Sequence, residues 1–332
     1  MKVVRLHRAA DLRLHDEPIP VAAAGETLLH VHAVGICGSD LHWFEEGGIG
    51  DAQLVDPLVL GHEFSASTES GERVAVDPAI SCGRCEMCQT GNPNLCPQVI
   101  LAGHGTRDGA LREFLAWPMT CLHHLPDSLS FADGAMLEPL GIAIHAADLG
   151  KIREGMTIGV FGCGPIGLLI LQLVRLEGAI PLLATDRLAH RVDAARGFGA
   201  QHALLARGGR ELDELESATH GRGVDVAFEV AGDQEAVDVA FSAVRIGGTV
   251  VLVGIPPDDQ TGFKASVARR KGLTIKMVRR MKHTYPRAID LVEAGLIDVR
   301  SLVTHRFPLS NAAQAFEVAR RREGLKVIVE AG

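Results

Sequence analysis

Four cysteines within fifteen residues, Cys82, Cys85, Cys88 and Cys96, constrain this chain more than any other feature of its 332 residues. They stand in the order C-x2-C-x2-C-x7-C in a stretch dense in Gly, Pro and Asn. Such a loop carries little apolar surface to hold its shape. Four thiolates closing a tetrahedron around zinc would hold it, and because no position stays open the site is structural. A four-thiolate iron–sulfur cluster shares the spacing, whereas four reduced core thiols would be scattered through the chain. The start, MKVVRLHRAADLRLHDEP, is charged and has no apolar secretory core. With seven cysteines in all, an odd number, metal binding in a reducing cytoplasm fits better than a disulfide framework.

Texture divides the chain. Up to about residue 145, short β-like runs such as Leu28–Ala33 and Arg73–Val76 alternate with Gly, Pro and Cys clusters. From Thr157 strands alternate with helices: TIGVF, an apolar helix from Pro165, IPLLAT, VDVAFEV, a helix from Asp233, and TVVLVG after Gly247 and Gly248. That alternation predicts an α/β domain with a parallel sheet covered on both faces. The last residues predict a helix near Tyr285–Ala294, another at Asn311–Arg321 and a strand Lys326–Val329. Gly, Pro, Arg and Glu interrupt the most apolar stretch, 157–185, which excludes a membrane span there.

A second set of metal-type residues surrounds this lobe in sequence. Cys37-Gly38-Ser39-Asp40-Leu41-His42 precedes Gly61-His62-Glu63, and Glu138-Pro139-Leu140 follows far downstream. A catalytic zinc takes about three N, S or O ligands and keeps one position for water or substrate. Cys37, His62 and a glutamate, Glu63 or Glu138, supply that set. Asp40 is placed to accept the other ring N–H of His62 and fix its tautomer. Ser39 offers a hydroxyl to take an alcohol proton, with His42 as its exit; a water beside Glu138 is the alternative base.

Gly162-Cys163-Gly164-Pro165-Ile166-Gly167 fits G-x-G-x-x-G between a strand and a helix. Its glycines let backbone N–H groups and the helix N-terminus approach a pyrophosphate. Asp186, at the end of the next strand, would accept the adenine-ribose hydroxyls. A 2′-phosphate about 4 Å from that carboxylate would cost roughly 1–4 kcal/mol, which favours NAD over NADP. Arg187 and Arg191 could blunt the preference by pairing with a phosphate.

Taken in order, GICGSDLH, VLGHE, CGRCEMC with Cys96, EPL and GCGPIG resemble the zinc-dependent medium-chain dehydrogenase/reductase family over essentially the whole chain. IGD at 49–51, LEPLGIAIHA at 137–146 and LVTHRFPL at 302–309 are similar to stretches of its sorbitol, xylitol and other polyol dehydrogenases. The resemblance implies a doubly wound Rossmann sheet, residues 147–285, and a β-rich GroES-like catalytic domain, residues 1–146, with the zinc lobe at 82–96. Residues 286–332 would complete the catalytic domain. It also implies one catalytic and one structural zinc per chain, and hydride transfer between a secondary alcohol and NAD. A homotetramer follows from the same resemblance, with a dimer as the other choice.

Two positions depart from the polyol pattern. Trp43 replaces a tyrosine, and Arg280-Met281 stands for an Arg-Tyr pair, so Trp43 and Arg280 are the expected substrate contacts. A sugar-acid, butanediol or threonine dehydrogenase, or a sensor that binds NAD(H) without turnover, stays open. Acids outnumber Lys and Arg by 41 to 33, so a net charge of −8 argues against nucleic acid as partner. The one basic run, Arg269, Arg270, Lys271, Lys276, Arg279, Arg280 and Lys282, reads as a solvated or subunit-facing surface.

Overall fold

The computed structural model describes residues 1–332. The chain forms two compact units, Met1–Pro139 with Lys282–Gly332, and Leu140–Met281. The boundaries therefore fall at 139/140 and 281/282, a few residues before the expected 146/147 and 285/286. The first difference has a local cause. Leu137–Gly150 is one continuous helix, and its first turn, carrying Glu138, belongs with the first unit.

The first unit is built on a seven-stranded sheet. Its path runs Leu122–His124, Arg73–Val76, Glu63–Thr68, Glu26–Gly35, Lys326–Glu330 and Val303–Pro308, and Phe114–Pro118 also pairs with Glu26–Gly35. All its pairings are antiparallel except the last two strands of the path, which run parallel. The C-terminal strand is thus a central strand, beside Glu26–Gly35 in the register Ile328↔Gly35. Its buried run KVIV suits that place, whereas Val303–Pro308 alternates half-buried and exposed, as an edge strand does. Phe64, Trp117 and Phe316 are fully buried in the core behind the sheet, each contributing about 1.5–3 kcal/mol of apolar burial.

The second unit is a six-stranded parallel sheet in the order His202–Leu205, Leu182–Asp186, Ile158–Phe161, Val224–Glu229, Val244–Leu252, Thr274–Met277. Every residue of three of its four inner strands, IGVF, LLATD and VDVAFE, is buried, because helices cover both faces. Strand order reverses between Ile158–Phe161 and Val224–Glu229, the switch point at which doubly wound sheets open a ligand crevice. The helix after Val224–Glu229 starts where expected: Asp233 caps it, accepting the Ala236 N–H at 2.9 Å. The next strand begins at Val244, earlier than the glycine pair suggested. Gly247, at φ 69°, is absorbed within it where the pairing register shifts. No helix is long and apolar enough to cross a membrane.

Within the basic run, Lys271 and Lys282 are engaged internally. Lys271 donates to the carbonyls of Phe241, Ser242 and Val244, closing the end of a helix, and Lys282 donates to Asn92 Oδ1 at 2.8 Å.

Candidate active site

The cysteine lobe is shaped by a short helix, Glu86–Gln89, and a 3₁₀ turn, Pro93–Leu95. These bring the sulfurs of Cys82, Cys85, Cys88 and Cys96 within 4.8 Å of one another. Cys85 and Cys88 Sγ stand 3.5 Å apart, close to the edge of about 3.8 Å expected for a tetrahedron with zinc–sulfur bonds near 2.3 Å. The spacing suits a single ion and is too tight for a multi-iron cluster, whose own atoms lie between its cysteines. Main-chain N–H groups point at the sulfurs, Cys82 N at Cys96 Sγ and Cys85 N at Cys82 Sγ, both 3.4 Å. Such donors stabilise thiolates, and those of Arg84 and Cys85 bring the Cys82 thiol down to about 6.

The second cluster forms where the helix Gly38–Glu46 and the strand Glu63–Thr68 begin. Cys37 is the residue before the helix, and Cys37 Sγ, a His62 ring nitrogen and a Glu63 oxygen lie within 4.8 Å of one another. Asp40 organises them. One carboxylate oxygen accepts Cys37 N at 2.9 Å, the other accepts Gly61 N at 3.1 Å and stands 3.3 Å from His62 Nδ1. Burial alone would raise the Asp40 pKa, but His62 and the two backbone donors hold it below the usual range. Burial lowers that of His62, yet the charge and hydrogen bond of Asp40 and those of Cys37 together outweigh it and raise the imidazole well above its ordinary value. His62 Nδ1 is therefore committed to Asp40, and Nε2 is left to face the cluster. Ser39 Oγ lies 3.3 Å from that nitrogen. His42, one turn farther along the same helix face, stands 3.6 Å from Glu46 and is partly exposed.

Of the two candidate glutamates, Glu63 is in the assembled set and Glu138 is not. Sequence reasoning missed Lys326. It is 3% exposed, and its Nζ forms a buried ion pair with Glu63 Oε2, itself in a side chain 1% exposed. Burial would lower the Lys326 pKa, but the charges of Glu63, Cys37 and Glu138 raise it. Room for the pair comes from Gly35, where a Cβ would collide with Glu63 Oε2 and press on Lys326 Cε. The one signal for Lys326 was a charged residue heading an otherwise apolar strand.

A half-buried soft thiolate, a buried imidazole and a buried carboxylate, mutually close, make a donor set that fits zinc. The four-sulfur lobe fits it too. In the first unit Trp43 corrects an expectation. It is 1% exposed, lies in the core, and donates its indole N–H to His104 Nδ1 at 3.2 Å, so its one polar atom faces the protein rather than a substrate. A large apolar ring gains more from burial than from lining a polar surface.

In the second unit the glycine turn has the geometry that dinucleotide binding requires. Gly162, at φ 107°, packs where a Cβ would meet Ala231 N at 2.7 Å, and a Cβ on Gly167 would strike Gly162 O. Gly164 has only Arg191 nearby, so the backbone there can be approached. Pro165 opens the helix Pro165–Leu176 and Ile166 follows half-buried, leaving the N–H groups of the first turn unpaired within the helix. Asp186 closes the strand Leu182–Asp186 and accepts Cys163 N and Leu188 N, each at 2.8 Å, which fixes its carboxylate beside the turn. Arg187 donates to Glu235 at 2.9 Å and Asp233 at 3.4 Å. Arg280 sits half-buried at φ 53° near the end of this unit. Glu229, unanticipated, is buried and accepts Ala231 N at 2.7 Å and Gly232 N at 2.8 Å; burial pushes it up to about 7 against those donors.

Comparison with known proteins matches the two parts of the chain to one family. Residues 23–127 match the alcohol dehydrogenase GroES-like domain and residues 165–294 the zinc-binding dehydrogenase domain. The chain is 35% identical over 341 residues to sorbitol dehydrogenase of Bacillus subtilis (strain 168), covering 99% of this chain and 97% of that protein. It is 36% identical over 339 residues to sorbitol dehydrogenase of Gallus gallus, covering 98% and 95%. A solved structure described as a short chain alcohol dehydrogenase from Escherichia coli CFT073, complexed with NADH, superposes with a TM-score of 0.90 at 28% identity and 99% coverage of both chains. Identity on this scale, sustained from end to end across both domain types, means that the chain belongs to the zinc-dependent medium-chain dehydrogenase/reductase family.

Proposed function

We propose that this protein oxidises the secondary alcohol of a polyol such as sorbitol, xylitol or L-iditol, with NAD as hydride acceptor. The observation that carries the reading is the close set of Cys37, His62 and Glu63 backed by Asp40, in a chain that also builds the Gly162 turn with Asp186 at its side. Zinc at the first set supplies Lewis acidity toward the alcohol oxygen, and NAD takes the hydride. In the reaction the carbinol carbon gives a hydride to NAD and its hydroxyl gives a proton, leaving a ketone, NADH and a released proton.

The chain's own residues do the rest. Cys37, His62 and Glu63 are the proposed ligands of the catalytic ion, with Glu138 beside them, and Cys82, Cys85, Cys88 and Cys96 hold a second, structural ion. Asp40 fixes the His62 ring, and Lys326 balances the negative charge of Glu63. Ser39 receives the alcohol proton and His42 hands it outward, a route supported by their shared helix face and the partial exposure of His42. Gly162, Gly164, Pro165, Ile166 and Gly167 receive the pyrophosphate with Arg191 at the turn, and Asp186 the ribose hydroxyls. Arg280 is the proposed polar contact for substrate. The enzyme is proposed as a cytoplasmic homotetramer whose partners are small molecules.

Burial of Trp43 and of Met281 favours a less hydroxylated alcohol such as 2,3-butanediol as the second reading. The test is NADH formation by zinc-loaded protein with sorbitol, xylitol, L-iditol, 2,3-butanediol, L-threonine and sugar acids, each with NAD and NADP. A polyol with NAD as best pair supports the proposal. Cofactor binding without turnover on any alcohol would instead support a sensor.

A further inference from the structure

Two arginines, Arg187 and Arg191, follow Asp186, the residue proposed for the ribose hydroxyls, and they are differently placed. Arg191 reaches the open Gly164. Arg187 follows the strand Leu182–Asp186, whereas Asp233 and Glu235 follow the strand Val224–Glu229. Those two strands flank Ile158–Phe161, whose carboxyl end carries the Gly162 turn. The Arg187 guanidinium thus reaches across that end of the sheet, to Glu235 Oε2 at 2.9 Å and Asp233 Oδ1 at 3.4 Å.

Both acids are fixed from behind. Glu235 Oε1 accepts Gly208 N at 2.7 Å, from the loop beyond the strand His202–Leu205, and Asp233 Oδ1 accepts Ala236 N as the helix cap. One arginine therefore faces two anchored carboxylates, with Asp186 adding a third acid at the end of the strand it leaves. A cation so placed has its charge offset and its Nη2 turned toward carboxylates.

We infer that Glu235, together with Asp233, is a specificity-determining residue for the cofactor: it engages Arg187 and so withholds from a 2′-phosphate the cation that would offset Asp186. The inference rests on the NAD reading of the Gly162 turn and concerns the ribose phosphate, not the hydride chemistry. The pair is half-exposed, so releasing Arg187 shifts the ratio of NADPH to NADH affinity by about twofold to fivefold rather than reversing it outright.

Fluorescence titration of NADH and NADPH into zinc-loaded protein tests this without turnover, in wild type, Glu235→Gln, Arg187→Ala and the double variant. The expected result is tighter NADH binding in wild type, a shift toward NADPH in Glu235→Gln, and loss of that shift in the double variant. Measurable NADH binding by each variant shows that the turn is folded. An unmoved ratio in Glu235→Gln, or a shift of equal size in the Arg187→Ala background, would overturn the inference, the latter because Glu235 would then act as a bare charge. Wild type that binds NADPH more tightly than NADH would overturn the NAD reading itself.

Discussion

Lys326 and Glu63 are joined by a buried ion pair although most of the chain separates them in sequence. Removing one partner of such a pair leaves an uncompensated charge, which costs about 3–5 kcal/mol. Lys326→Met is accordingly expected to lower the thermal unfolding temperature markedly, read by calorimetry, and to weaken zinc binding at the Cys37 set while the cysteine lobe stays filled. Equal zinc content and unfolding temperature in variant and wild type would contradict that role. The proposed ligands were legible as candidates, with the choice between Glu63 and Glu138 left open, because Cys37 with Asp40 and His62 with Glu63 each lie within one short segment. Lys326 was not, because its function arises from the antiparallel pairing of the C-terminal strand with Glu26–Gly35, a tertiary event with no local signature. Trp43 was misplaced for a related reason, since only the fold brings His104 to its indole N–H.

At the scale of elements, Glu229 ties two strand ends together. Besides the N–H groups of Ala231 and Gly232 its carboxylate faces Gly254, which follows the next strand. Its folded value, about 7, lies above the 4.5 of the unfolded chain. Between those values the unfolded chain gives up a proton that the folded chain keeps. The stabilising contribution is therefore full below the lower value, declines as pH rises through the interval and stays lost above it, amounting to about 3 kcal/mol. Glu229→Gln should flatten that part of the stability profile, as thermal denaturation at several pH values would show; an unchanged slope would contradict it. The cysteine lobe is a second self-contained element. Cys96→Ser is expected to release one zinc of two, measured by elemental analysis, and to loosen residues 82–96 in amide exchange. The glycine turn was readable because the strand–turn–helix pattern and the contact of Gly167 with Gly162 are local, although the approach of Gly162 to Ala231 is not. The start of the strand Val244–Leu252 was not, because sheet pairing carried the strand through two glycines that read as a break.

For the whole molecule, alternating β and α texture was enough to read the second unit as a parallel sheet covered by helices. The first unit was harder, since its sheet draws strands from both ends of the chain. An assembled mass near four times the 35.4 kDa chain, measured by light scattering, is the expected outcome for a tetramer, and a single-chain mass would contradict it. The central claim is that the Cys37, His62 and Glu63 set carries the alcohol chemistry. Its most direct test is NADH formation from a polyol by wild type and Cys37→Ala, with zinc counted in both. The account predicts turnover with two zinc ions per chain in wild type, and one ion with turnover lowered at least a thousandfold, about 4 kcal/mol, in the variant. Undiminished turnover in Cys37→Ala would contradict it.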